Sequence, residues 1–480
     1  MKVMSFLSRL LSLRQSAVAA VLCCATALSA QITGETESNN TRAQANGPVG
    51  YGVQVSASIS SASDVDWFYF DTVSSGSVEA AVYYTSPDNF NWRLYDSAGT
   101  YLGGGTDSGP SEIGSVSVSA AGRYYIEVSR TAGTGTYQLL VTFPDGSGRP
   151  PRPINLRVWV TGNAADSPTQ PVGGPAVLLM GGGSEVDAAF VNRAYPIANG
   201  GDVVVIRTSG SNGYNNYLYN LTSGPTKPHS VETLLLDSVA KANSAYAQWV
   251  IGNAELLWVA GGDQSEQLNA WKDTLAEDAI RQVYDRGGVV GGLSAGCAIM
   301  GEFMYDPDGV TAVTSAEAVA NPYRSGVIIS DGFLDLPLMD NMITDTHFRQ
   351  RDRMGRAMAF MARLRQDNRT TEIVCVAVSE NTAMFIDRNR VGYVDGSGEA
   401  YVLREDAQTV RTRVAAGQTL IYSDVLRTWV GNGYSYDFKT HTCSVPAYRL
   451  SVNGDNTPFY SWADPYLMHL PVTVSRFRLD

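Results

Sequence analysis

The chain is poor in cysteine, in histidine and in charge for its length. Its 480 residues hold five cysteines, Cys23, Cys24, Cys297, Cys375 and Cys443, the first two inside a segment that reads as removable. The three that remain are scattered and show no C-x-x-C spacing, which excludes a disulfide framework and a thiolate metal centre. A Cys375–Cys443 bridge is conceivable in an oxidising compartment, but nothing in the sequence selects it. Four histidines without His-x-x-x-His spacing give no catalytic zinc motif, so neither a metal nor another cofactor is expected. Charged residues make up 17%, too few for a solvated helical rod, and 47 acidic against 35 basic residues leave a net charge of -12. That acidity argues against a nucleic-acid partner, whose phosphates require a basic surface. At 44% hydrophobic residues the composition is that of a folded protein, and no apolar run reaches the roughly 20 residues of a membrane span.

What is present begins with Lys2, Arg9 and Arg14 ahead of an apolar run from Ala17 to Leu28, followed by the small residues Ser29 and Ala30. This is the pattern of a cleavable secretory signal over residues 1–30, and it predicts a secreted or periplasmic protein. Loss of the three cations would take the charge from -12 to -15.

Residues 31–143 alternate apolar and polar side chains in short runs, such as DWFYFDTV and TYQLLVTF, separated by Gly, Ser, Asp and Asn. Such runs predict an antiparallel β-sandwich. Residues 144–155, rich in Pro, Gly and Arg, read as an interdomain linker. Glu35-Thr-Glu-Ser-Asn-Asn40, Asp64-Val-Asp66-Trp67, Leu94-Tyr95-Asp96 and Ala121-Gly122-Arg-Tyr124-Tyr125 are similar to the bacterial pre-peptidase C-terminal (PPC) domain. Glu35, Asp64 and Asp66 would suit calcium or, equally, cap strand ends; no metal is assigned to them.

From residue 156 to 480 the pattern changes. Buried-looking strands such as VVVIRTSG, LLWVAGG and GGVVGGLSAG end in glycine-rich turns, and Glu266–Arg286 and Arg349–Arg365 have helical periodicity. Alternating strands and helices predict a mainly parallel sheet covered on both faces, with functional groups at the carboxyl ends of its strands. Gly181-Gly-Gly-Ser184 has neither the lysine of a P-loop nor G-x-G-x-x-G spacing, which disfavours nucleotide binding.

Gly292-Leu-Ser294-Ala-Gly296, between a strand and a helix-forming stretch, is the pattern of a nucleophile elbow, whose small neighbours permit a strained turn presenting a serine hydroxyl. A serine nucleophile needs a base, and His347 is the best placed of the histidines, because Arg349, Arg351, Arg353 and Arg356 follow it. The last three are expected on and near one side of a helix beginning just after His347. They form either a solvated helix face or a pocket gripping carboxylates.

Four motifs in order, Leu178-Leu-Met-Gly181-Gly-Gly-Ser184, Ala260-Gly-Gly-Asp263-Gln264, Gly291-Gly-Leu-Ser294-Ala-Gly296 and Asp345-Thr-His347-Phe-(x)2-Arg351-x-Arg353-(x)2-Arg356, resemble the cyanophycinase branch of the S51 serine peptidases. The resemblance implies a flavodoxin-like fold of the class I glutamine amidotransferase type. It also implies hydrolysis of aspartyl bonds, in cyanophycinase the β-linked Asp-Arg units of cyanophycin. The alternatives are an isoaspartyl or aspartyl peptidase acting on other peptides and a non-catalytic secreted binding protein of the same fold, and a homodimer is compatible with the sequence. By the same resemblance Ser294 is the nucleophile and His347 the base, while the backbone N–H groups of Ala295 and of the Gly262-Asp263 turn hold the oxyanion. Gln264, Asp345, Arg351, Arg353 and Arg356 fall in the substrate pocket. For the third triad member Glu317 sits about where the family has an acidic residue, with Asp345 as the fallback. Leu293, Cys297 and Thr346 depart from the family's usual threonine, alanine and glutamine, and Thr346 bears directly on substrate choice. Beyond about Val378 the chain reads as strands and turns completing the sheet, with no further chemistry expected.

Overall fold

The structure, a computed structural model, describes residues 31–468 except 86, 106–110, 151 and 154. The secretory signal expected over residues 1–30 lies outside the described residues.

Two four-stranded antiparallel sheets build the N-terminal part. One orders the strands Gln54–Ile59, Gly135–Thr142, Gly76–Tyr84 and Ser111–Val118; the other orders Val65–Thr72, Gly122–Ala132, Asn89–Tyr95 and Tyr101–Gly105. Alternation places Val55, Phe68, Phe70, Trp92, Leu94, Ile126 and Leu139 between the sheets, each wholly buried. The stretch Ser115–Ser129 divides at Ser119–Ala121 into two strands on opposite sheets.

The following Pro/Gly/Arg segment is not a free tether. Tyr51 donates its hydroxyl to the Pro150 carbonyl at 3.2 Å, and Arg149, with 4% of its side chain exposed, pairs with the buried Glu232 at 3.1 Å. Arg149 also donates to the Ala164 carbonyl at 2.7 Å and lies over the rings of Tyr51 and Trp249. A guanidinium buried this way ties the sandwich to the domain that follows.

That domain is a flavodoxin-like α/β unit. Strands β1 (Ala176–Met180), β2 (Asp202–Arg207), β3 (Ser230–Leu235), β4 (Leu256–Val259) and β5 (Val289–Leu293) are parallel and lie in the order β3-β2-β4-β5-β1. Continuous apolar runs suit them because helices cover both faces. The periodic stretch after Asp263 forms two helices, α1 (Gln264–Trp271) and α2 (Leu275–Asp285), parted where Asp273 takes a left-handed φ of 60°. The short α3 (Ala295–Ala298) follows β5, and α4 (Ser315–Ala320) lies beyond it. A second sheet contains the parallel pair β6 (Met342–Asp345) and β7 (Val374–Val378), separated in sequence by α5 (Met354–Gln366). Strand β8 (Thr382–Ile386) then returns to the first sheet, antiparallel to β1. The carboxyl ends of β1, β5, β6 and β7 therefore converge.

The three described cysteines are free thiols. Cys375 is buried in the second sheet, while partly buried Cys443 packs against the cluster containing the first sheet's core. No helix among the described residues is long and apolar enough to cross a membrane.

Candidate active site

Ser294 sits between β5 and α3 with φ 54° and ψ -114°, an uncommon backbone region for a residue bearing a side chain. Its backbone N–H is held by the Met180 carbonyl at 2.9 Å, so β1 fixes the turn from the side. The flanking glycines are a packing requirement: a Cβ on Gly292 would lie 2.5 Å from the Gly296 carbonyl carbon, and one on Gly296 would lie 2.3 Å from the Val259 carbonyl oxygen. Sequence and geometry agree on a nucleophile elbow.

His347 follows β6 with φ 44°, its N–H bonded to the Gly181 carbonyl at 2.7 Å. Its imidazole lies against Gly182, where a Cβ would come within 2.2 Å of the ring. Nε2 is 2.7 Å from Ser294 Oγ, and Nδ1 is 2.6 Å from a carboxylate oxygen of Glu380. Because a carboxylate only accepts, the proton belongs on Nδ1, which leaves the Nε2 lone pair facing the serine hydroxyl. Burial lowers the His347 pKa below its ordinary value; Glu380 works against this, and Arg351 and Arg353 add to it.

The carboxylate beside His347 thus differs from both sequence expectations. Glu317 is half-buried and occupied elsewhere: it forms a capping box with Thr314 at the start of α4 and pairs with Arg324 at 3.0 Å. Asp345 is buried and turned toward arginine, accepting from Arg356 Nε at 2.8 Å and Nη2 at 2.5 Å, with Arg353 at 3.4 Å. Although burial pushes the Asp345 carboxyl up, Arg356 and Arg353 hold it below its ordinary value. Glu380 lies in the short turn between β7 and β8, in the region expected to carry no chemistry. The available signal was its place just past the carboxyl end of a buried strand.

The arginines also depart from the expected helix. The chain turns after His347, with Arg351 N–H on the His347 carbonyl and Arg353 N–H on that of Phe348; α5 starts only at Met354 because Asp352 adopts a left-handed φ of 46°. Exposed Arg351 and half-buried Arg353 precede the helix, and Arg356 stands in its first turn. Arg353 donates to the Thr346 carbonyl at 2.8 Å and hydroxyl at 3.2 Å; burial lowers its pKa to about 10, which leaves it a cation at neutral pH. Buried Arg356 commits its donors inward, to Asp345 and the Val313 carbonyl.

These groups line a cavity of about 200 Å³ with Gly262, Asp263, Gln264, Ala295, Tyr305 and Thr346. Gln264 donates to the Tyr305 carbonyl at 3.3 Å, and the Asp263 carboxylate caps α1 by accepting from Ser265 N–H at 2.8 Å. The cavity unites a hydroxyl aligned on an imidazole, a carboxylate behind that imidazole, and cations opposite. Such a set can deprotonate serine, steady the imidazolium and receive an anionic group. Cys297, three residues past Ser294, is fully buried, and burial pushes its thiol pKa up, in keeping with a core residue.

In the sandwich, Glu35, Glu37 and Asp66 bring carboxylate oxygens within 4.8 Å of one another. Burial pushes Asp66 up to about 8 against a Tyr137 hydroxyl donated at 2.5 Å, and Asp64 accepts from Ser60 N–H at 2.6 Å. No cation is assigned there.

Comparison with known proteins finds similarity in the α/β part of the chain. The family model of Peptidase family S51 matches residues 211–394. A cyanophycinase of Geminocystis herdmanii is 26% identical over 208 residues, 43% of this chain and 70% of that protein. One of Trichormus variabilis is 28% identical over 199 residues, 41% of this chain and 61% of that protein. The crystal structure of a putative Peptidase E protein from Listeria monocytogenes is 14% identical and covers 47% of this chain and 100% of its own, with a TM-score of 0.29. The α/β part of the chain is thus similar, over residues 211–394, to Peptidase family S51.

Proposed function

We propose that the protein is an exported serine peptidase that hydrolyses aspartyl peptide bonds, with β-linked Asp-Arg units of cyanophycin as its substrate. The single observation that carries this reading is the continuous hydrogen-bonded line Ser294–His347–Glu380 opening on a cavity walled by Arg351 and Arg353.

In this reading a free carboxylate of the substrate, in the polymer that of the β-linked arginine, lies against the two arginines. Ser294 Oγ attacks the scissile carbonyl as His347 Nε2 takes its proton, and the resulting imidazolium is steadied by Glu380. Backbone N–H groups of Ala295 and the Gly262-Asp263 turn would hold the oxyanion. The leaving amine takes the proton back from His347 as its bond to the acyl carbon breaks. Water, deprotonated by the same imidazole, then cleaves the acyl ester and restores Ser294.

Thr346 supports a second reading, a peptidase for other α- or β-aspartyl peptides, because its hydroxyl is turned to Arg353 and presents no amide to the substrate. Incubating the purified protein with cyanophycin and with a panel of α- and β-aspartyl dipeptides separates the two. Release of β-Asp-Arg from the polymer supports the first, dipeptide turnover without polymer turnover supports the second, and absence of turnover on every substrate overturns both.

The depressed His347 pKa sets a pH expectation. The imidazole must be neutral to accept a proton, and a lowered pKa keeps it neutral further into acid. The acid limb of kcat/KM is therefore expected to be centred below 6.5; initial rates from pH 4 to 9 check this. An acid limb centred above 6.5 would contradict it.

A further inference from the structure

The arginine turn is held in part from outside the S51-matched region. The first N–H groups of α5 have no intrahelical partners, and three are met by side chains from distant sequence. Met354 N–H bonds the Tyr466 hydroxyl at 2.9 Å, Gly355 N–H bonds the Tyr460 hydroxyl at 2.9 Å, and Arg356 N–H bonds Ser315 Oγ at 3.2 Å. Both tyrosine hydroxyls pass their own protons to one residue, Asp352, whose Oδ1 accepts from Tyr466 at 2.7 Å and from Tyr460 at 3.1 Å. Ser315 Oγ donates to the Asp352 carbonyl.

Asp352 lies between the two pocket cations, Arg351 and Arg353, in a left-handed conformation that a side chain does not adopt freely. The strain persists where surroundings over-determine it, and here they are the two hydroxyls and Ser315. The same arm reaches the base: the Tyr466 ring packs edge-on against Phe348, next to His347, and against Tyr401 at 5.7 Å. The arm is anchored by Tyr401 hydroxyl to the Tyr466 carbonyl at 2.8 Å and by Arg427 to the Leu467 carbonyl at 2.7 Å.

We propose that Tyr460 and Tyr466 are positioning residues for the substrate-binding arginines, acting through Asp352 to fix the 347–356 turn in its carboxylate-gripping shape. This rests on the reading of the site as an aspartyl peptidase. The relay runs from helix N–H to tyrosine oxygen and from tyrosine hydroxyl to Asp352, so removal of the hydroxyls loosens the turn while Ser294, His347 and Glu380 keep their mutual bonds.

The test compares the full-length protein with the Tyr460→Phe/Tyr466→Phe variant on the aspartyl substrate that the wild type turns over. KM is expected to rise about tenfold as two hydrogen bonds to a carboxylate are lost. kcat should stay within about threefold, and the acid limb of the pH profile should not move. Asp352→Asn, which keeps an acceptor, should recover most of the loss seen in Asp352→Ala. If the double variant does not fold, Tyr460→Phe alone serves, with a smaller KM rise. Unchanged KM in a folded variant, or an equal fall in kcat with a shifted pH limb, overturns the proposal. Affinity for free L-aspartate is measured in parallel by titration calorimetry in the Ser294→Ala background. Weaker binding on adding the tyrosine substitutions supports the positioning role, and equal binding overturns it, even if an inactive wild type has overturned the peptidase reading.

Discussion

Glu380→Gln is expected to lower kcat by about 10³- to 10⁴-fold while leaving the fold intact, and Glu317→Gln is expected to leave kcat unchanged. Glutamine matches glutamate in size, but its amide can present N–H toward His347 Nδ1 and favour the tautomer with a proton on Nε2. That tautomer donates toward Ser294 and cannot accept its proton. It also removes the negative charge that steadies the imidazolium. Glu317 sits at the third position of the α4 capping box, a place glutamine also fills, so its replacement should leave stability nearly unchanged and cost no chemistry. Ser294→Ala sets the floor, with a loss of about 10⁶-fold in kcat. Rates on the aspartyl substrate together with thermal melts measure both effects. Near wild-type turnover by Glu380→Gln would remove Glu380 from the mechanism, and a large loss in Glu317→Gln with an unchanged melt would return Glu317 to it.

The second large effect concerns stability. Arg356→Ala leaves the Asp345 carboxylate buried with Arg353 at 3.4 Å as its remaining cation beside the Thr346 N–H at 2.8 Å, and breaking a buried pair from one side costs about 3–5 kcal/mol. Restoring neutrality with Asp345→Asn beside Arg356→Met should regain much of that loss. Arg351→Ala, at an exposed position, should change stability by no more than about 0.5 kcal/mol while raising KM. Urea unfolding of the variants checks the order. Equal stability of Arg356→Ala and Arg351→Ala would show that the Asp345 pair does not support the turn.

The contrast among the arginines shows what sequence could and could not disclose. Local features were legible: alternation marked the sandwich strands, and Gly292-Leu-Ser294-Ala-Gly296 marked a turn whose geometry depends on its own neighbours. Features resting on distant contacts were not. Glu380 stands 33 residues beyond His347 and belongs to no motif; only the passage of the chain from the second sheet back to the first brings it under the imidazole. Periodicity over Arg349–Arg365 suggested a helix from the start, yet Asp352 is pulled left-handed by tyrosines more than 100 residues away. Glu317 occupied the expected place in order along the chain and spent its carboxylate on a helix cap.

Arg149 gives the sandwich a meaning for anyone who would transplant the catalytic half. Its guanidinium is the partner of Glu232 on β3, which is almost wholly buried. Excising everything before the α/β unit would uncover an acidic plug in the sheet, with Tyr246 as its nearest hydroxyl at 2.9 Å. A chimera with a foreign module at the N-terminus therefore needs the native strap through Arg149, or a neutral residue in place of Glu232, before its catalytic half can stand alone.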